Sequence, residues 1–169
     1  MKEQRYIEVG FAKRNVFGRA ILLDSKAPKT CQAVWDALPL KNHAYHAKYA
    51  NCEVYSLFKP FATEEPGKEN ATVFPIPGDL VYFRIEPGSA LPEDAPEPHP
   101  EVGVIDLALF YGRGNFLLGP EGLLPGNVFG TIVEGLEELA VACESIWREG
   151  SIGEQMVWRR VTESREKNE

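Results

Sequence analysis

The densest run of reactive side chains is His46-Ala47-Lys48-Tyr49-Ala50-Asn51-Cys52-Glu53, which puts an imidazole, a thiol and a carboxylate within one short stretch. A thiolate nucleophile needs a neighbouring base or cation to lower its pKa, and His46 and Glu53 are the neighbours Cys52 could use. A histidine and a carboxylate can also work together as general acid and base. A satisfied structural histidine is the plain alternative. His43 and His46 stand three apart, a spacing that suits a metal only on a helix, and these residues do not read as one. Cys31 and Cys143 fall on apolar stripes of expected helices and read as small buried hydrophobes. The three cysteines are odd in number and widely spaced, and no CxxC occurs. Neither a disulfide framework nor a zinc site is expected, and no metal or cofactor is assigned. There is no GxxxxGK or GxGxxG phosphate loop. Asn70-Ala71-Thr72 fits a glycosylation acceptor, but nothing at Met1–Tyr6 reads as a secretory leader.

Composition narrows the function classes. The chain has 169 residues, 44% hydrophobic and 25% charged, with a formal net charge of −7. One domain, 1–161, is expected. The acidic balance argues against general nucleic-acid binding and against docking on anionic lipid. No run of 18 apolar residues suggests a membrane span. The expected location is the cytoplasm.

The elements that must position these groups follow from periodicity. Arg5–Ala12 and Val16–Leu23 read as a hairpin. In 27–38, Pro28 suits a first helical turn, and Cys31, Val34, Trp35 and Leu38 share one face. Residues 41–51 read as irregular. Glu53–Phe58, a piece starting at Val73, Leu80–Ile85, Val104–Tyr111, Val128–Val133 and Gln155–Val161 read as strands. Brief extended pieces are expected in the glycine-rich 112–126. A second helix after Gly135 shows Leu136, Leu139, Ala140 and Cys143 on one face, extended by Ile146 and Trp147. Glu137 and Glu138 lie in its first turn, and Gly150 suits its end. Residues 86–101 hold five prolines and five acids and read as an exposed loop, either a tolerated insertion or a lid. Residues 162–169 read as a charged, frayed tail. The helices do not alternate with strands, which disfavours a doubly wound sheet. The expected fold is mainly β: a closed antiparallel barrel of about eight strands capped by two α-helices.

Two segments carry a resemblance. Ala27-Pro28-Lys29-Thr30-Cys31-Gln32-Ala33-Val34 resembles the start of the first helix in cyclophilins, and Asn127-Val128-Phe129-Gly130-Thr131-Ile132-Val133-Glu134-Gly135 resembles their strand-to-helix passage. The resemblance implies an eight-stranded barrel with two capping helices. The stretch Val54-Tyr55-Ser56-Leu57-Phe58 carries Ser56 where true cyclophilins carry the isomerase arginine, and a hydroxyl cannot copy a planar, charged, multi-donor group. Prolyl isomerase activity is not expected. A nearer resemblance, over most of 5–150, is to small bacterial and archaeal proteins of cyclophilin-like fold and no established function. It rests on His46-Ala47-Lys48-Tyr49, Glu53-Val54-Tyr55, Glu69-Asn70-Ala71-Thr72, Pro77-Gly78-Asp79-Leu80, Tyr111-Gly112 and Gly122–Asn127.

In that fold the ligand groove lies on the outer face of the barrel, which implies ligand-binding roles for His46, Tyr55, Glu69, Asn70, Tyr111, Arg113, Asn115 and Asn127. Apolar walls with a few convergent polar groups describe a pocket for a small polar metabolite, anionic or amide-bearing. Arg113 suits a ligand carboxylate. Each also has a structural reading, in which Glu69-Asn70 brace a loop and Asn127 closes a turn. The alternatives are an enzyme of amide or carboxylate metabolism using His46 and Glu53, a proline-peptide binder, or an assembly protein forming a homodimer.

Overall fold

The computed structural model describes residues 3–89, 91–92 and 101–161. Much of the expected 86–101 loop and all of the expected 162–169 tail lie outside the described residues. The first hairpin pairs β1 (Tyr6–Phe11) with β2 (Val16–Leu22) from Tyr6↔Ile21 to Phe11↔Val16. Ile7, Val9 and Phe11 are fully buried, and the alternate residues Tyr6 and Glu8 are half-buried. Period-two patterning thus selects the inner face.

Helix α1 (Pro28–Ala37) starts on Pro28 and buries Cys31 and Val34, with Leu38 inward just beyond its end. Trp35 is half-buried, between the guanidinium groups of Arg5 and Arg160 at 5.1 and 5.0 Å from its ring centre. Helix α2 (Leu136–Glu149) buries Leu139, Ala142, Cys143 and Ile146, and ends at Gly150 with φ 84°. Trp147, expected on this face, is 65% exposed. At about 100° per residue it sits roughly 90° from the centre of the buried stripe. Gly18 lets α2 approach β2: a Cβ there would lie 2.5 Å from Leu139 Cδ1.

The remaining strands are β3 (Leu40–His43), β4 (Tyr45–His46), β5 (Glu53–Phe58), β6 (Ala71–Thr72), β7 (Asp79–Ile85), β8 (Val104–Phe110), β9 (Leu118–Gly119), β10 (Gly122–Leu123), β11 (Gly126–Glu134) and β12 (Gln155–Arg160). Ten strands form one antiparallel sheet in the order β3-β12-β1-β2-β11-β7-β8-β5-β4, with β6 on β11, while β9 and β10 form a separate hairpin. Two expectations change. The 41–51 stretch contains β3 and β4, which pair with β12 and β5 respectively. The expected closed barrel of about eight strands is a ten-stranded sheet without a closing ladder among the described residues. Side chains span its curled ends instead: Asn42 Nδ2 donates to Leu57 O at 2.6 Å, and Trp158 Nε1 donates to Ser56 Oγ at 3.2 Å. The Asn42 amide takes a carbonyl that a closing ladder would need.

The main core lies between the inner face of the sheet and the two helices, around Phe11, Phe129, Leu107 and Trp158. The middle strands are buried on their other face as well. Every residue of β8 is buried, which is why Val104–Phe110 reads as a near-continuous apolar run. A second cluster, Val81, Phe83, Ala108, Phe110, Leu117 and Val128, fills part of that outer face.

Candidate functional site

The outer face of β5, β8 and β7 is not filled throughout. Its register sets Glu53 against Phe110, Tyr55 against Ala108 and Leu57 against Asp106, while Phe83 lies across from Asp106 on the other side. Cross-strand partners share a face, so Glu53, Tyr55, Leu57, Asp106 and Phe83 all point to one side. Above them lies a cavity of about 780 Å³. Tyr45 and residues 47–50 wall one side, Leu117–Pro120 and Leu124 another, and Leu91 and Pro92 reach its rim. The volume is that of a small-molecule site.

Two carboxyl groups stand on this mostly apolar surface. Glu53 is 5% exposed and Asp106 is 9% exposed. Burial pushes the Glu53 carboxyl up to about 8, because a carboxylate is poorly solvated there. Burial, and next the charge of Glu53, raise Asp106 well above the ordinary carboxylate range. Among the described residues Asp106 Oδ1 has no hydrogen-bond partner, and neither acid joins an ion pair. An unpartnered polar atom in such a place is costly unless something else meets it.

His46 lines the cavity, but its ring is held elsewhere. Nδ1 lies 2.9 Å from Ala47 O and Nε2 lies 2.7 Å from the Tyr111 hydroxyl. A carbonyl only accepts, so Nδ1 carries the proton and Nε2 accepts from Tyr111. Burial lowers the His46 pKa, which favours this neutral form. His46 pairs with Val54, whereas Glu53 lies one residue away in register. The imidazole and the Glu53 carboxyl therefore leave the sheet on opposite faces. Tyr111 packs against the main core, not the cavity. The Cys52 thiol is raised, first by burial and then by the charge of Glu144, so it is not an activated thiolate.

The other candidates sit in hydrogen-bonded braces. Glu69 accepts from Lys29 N, Thr30 N and Thr30 Oγ1 at 3.2, 2.8 and 2.8 Å, and so caps the start of α1. Asn127 donates to Thr30 Oγ1 and Gly67 O and accepts from Glu69 N. Asn70, with φ 46°, donates to Val128 O. Asn115 accepts from Cys52 N and donates to Pro75 O and Gly112 O. Arg113 is exposed, and its carbonyl accepts from Asn51. None of these five lines the cavity. Ser56 is fully buried in the core beneath Trp158. The structure thus brings Glu53 and Tyr55 to one cavity, leaves His46 at its wall with the ring turned away, and adds Asp106, which sequence reasoning missed. Its signal was a lone ionisable residue inside Val104-Ile105-Asp106-Leu107-Ala108-Leu109-Phe110. Among the described residues no three His, Cys, Asp or Glu side chains are grouped to hold a metal ion, and no helix is long and apolar enough to cross a membrane.

The fold has solved relatives. McbB, in a structure in complex with tryptophan, superposes with a TM-score of 0.58 at 19% identity, covering 96% of this chain and 46% of that one. The chain thus spans under half the length of McbB. A hypothetical protein from Archaeoglobus fulgidus, AF2241, gives a TM-score of 0.50 at 22% identity, covering 95% of this chain and 100% of that one. No curated protein matches the chain in sequence. Residues 9–158 match DUF3830, described as a protein of unknown function, and the chain belongs to that family.

Proposed function

We propose that the chain binds a small organic molecule, apolar or aromatic over most of its surface, in the cavity on the outer face of β5, β8 and β7. The observation that carries this reading is the cavity itself: about 780 Å³ on a sheet face that is otherwise packed, walled by Tyr45, Tyr55, Phe83 and Leu117. A few buried polar groups in such a wall fix the orientation of a ligand, and here Glu53 and Asp106 are those groups. The tryptophan in the McbB complex supports an aromatic occupant, as a fold-level analogy. Two acids favour a hydrogen-bond donor over an anion, so the anionic metabolite expected from Arg113 is not part of this proposal. Acid–base chemistry by His46 and Glu53 is not carried forward either, because both ring nitrogens of His46 are engaged on the far side of the strand.

The cyclophilin-like relation belongs to the same proposal. It is supported by the sheet ends meeting through Asn42 and Trp158 and by the two helices on one face. We read 1–161 as one binding unit. Three free thiols are compatible with a reducing compartment such as the cytoplasm.

The test is a thermal-shift titration with tryptophan, indole and phenol, on the parent chain and on Gly119→Trp. Gly119 lines the cavity, and a Cβ there meets nothing within 4 Å, so a large side chain can be introduced at the cavity wall, with cooperative unfolding of the variant checked first. A ligand at ~100 times its Kd adds about 2.7 kcal/mol, a shift of roughly 5–11 °C for a domain of this size. At least one compound should shift the parent and not the variant. Shifts equal in both, or no shift with any of the three, would overturn the reading.

A further inference from the structure

We infer that the cavity selects molecules bearing a protonated amine, with Asp106 as the counter-ion and Glu53 as a second acceptor on the same floor. The inference rests on the cavity reading above and adds the head group of the ligand. Asp106 is more than nine-tenths buried and lines the cavity, and its Oδ1, itself shielded from solvent, has no hydrogen-bond partner among the described residues. Glu53 stands on the same face, with Tyr55 and Ala108 between them. Other titratable residues lining the cavity are Tyr45 and Tyr55, paired across β4 and β5, His46, whose ring nitrogens are held by Ala47 O and the Tyr111 hydroxyl, and Lys48 and Tyr49, exposed at the rim. The cavity-lining residues of β7 and of 117–124 carry no charge. No cation of the chain forms an ion pair with either acid among the described residues.

Glu53 holds its proton near neutrality, and burial favours the protonated form of Asp106. When an ammonium group enters, a carboxyl on the floor gives its proton to solvent and the carboxylate accepts hydrogen bonds from the ammonium. Charge balances, with one proton released per ion pair formed. A group titrating near 8 pays about tenfold in affinity at pH 7 to ionise. A buried, charge-assisted pair returns more than that. A neutral donor gains the hydrogen bond without the charge, and an anion meets only acids that lose their protons as pH rises.

The experiment uses three probes of matched body: 2-phenylethylamine, 2-phenylethanol and 3-phenylpropanoate. Their Kd values are measured by NMR titration at pH 6, 7 and 8 on the parent, Asp106→Asn and Glu53→Gln, each checked for cooperative unfolding. The amine should bind at least tenfold tighter than the alcohol at pH 8. Its affinity should rise by up to tenfold per pH unit from 6 to 8, while that of the alcohol stays flat. Asp106→Asn should weaken the amine at least tenfold and the alcohol less than threefold. Glu53→Gln supplies the same comparison if Asp106→Asn does not fold. Equal, pH-independent binding of amine and alcohol would overturn the amine assignment and leave the cavity reading standing. Failure of all three to bind would overturn both.

Discussion

Replacing Glu53 with Gln should make stability far less dependent on pH. Burial raises the folded carboxyl to about 8 from its ordinary 4.5. Between these values the folded chain holds one proton more than the unfolded chain. Stability from this group is therefore fully present below pH 4.5 and falls as pH rises, by about 1.4 kcal/mol per pH unit. Over the whole window the loss is about 5 kcal/mol, a large share of the ~5–15 kcal/mol typical of a domain. Gln copies the shape of the neutral acid and cannot ionise. Parent and variant should thus be equally stable near pH 4.5 and separate with rising pH, the variant ahead by several kcal/mol above pH 8. In melting temperature that is about 10–20 °C, at roughly 2–4 °C per kcal/mol. The assay is urea unfolding of both proteins from pH 4.5 to 9 in one buffer series, with melting curves in parallel. Asp106, raised by burial and by Glu53, adds a slope of the same sign that persists in the variant. A stability difference that stays constant across the range would refute the argument, since it would mean that Glu53 has the same proton affinity folded and unfolded.

Other perturbations separate the cavity from the braces around it. Glu69→Ala removes the acceptor at the start of α1 and should cost about 1–2 kcal/mol in urea unfolding, with ligand shifts unchanged. Glu154 is fully buried and accepts from Lys13 N, Arg14 N, Gln155 N and the Arg14 guanidinium. Glu154→Ala should therefore destabilise by about 3–5 kcal/mol, read by the same unfolding curves. The His46 ring, disfavoured as a cation by burial, should titrate below 6.5 in an NMR pH series, and stability linked to it should be lost as pH falls through that range.

Most strands and both helices were legible in the sequence, because each buries one face at a regular period. Ile7, Val9 and Phe11 mark β1 by alternation, and Leu139, Cys143 and Ile146 mark α2 by helical spacing. Short pieces were not. β4 has two residues, too few for a period, and β3 alternates weakly because its half-buried polar side chains work at the seam of the sheet. The site was less legible for two reasons. First, which face His46 shares with Glu53 depends on the turn at 47–52, where Asn51 takes φ 66°, and a one-residue change of register reverses the answer. Second, polar residues gathered in sequence or implied by resemblance can serve the backbone as readily as a ligand. Asn115 and Asn127 spend their amides on main-chain and side-chain partners of neighbouring segments.

Asp106 shows how the two problems meet. In sequence it is one acid inside a near-continuous apolar run, with no indication of which face it takes. It becomes exceptional only because Leu117 and its neighbours, together with Leu91 and Pro92, cover that face. Once covered, an acid with an unpartnered oxygen costs about 1–3 kcal/mol or more relative to an apolar side chain of similar size. Asp106→Leu should therefore raise stability, by about that amount near pH 4, and the gain should grow as pH rises, because burial disfavours the ionised acid in the folded chain while the unfolded chain ionises freely. It should also abolish the preference of the cavity for an amine over the matching alcohol. If the substitution lowers stability instead, the oxygen has a partner that stabilises it, and the acid is part of the scaffold. If stability rises while the amine preference survives, the counter-ion is Glu53. Only gain of stability together with loss of that preference fits an acid held on this strand for a ligand and against the interest of the fold.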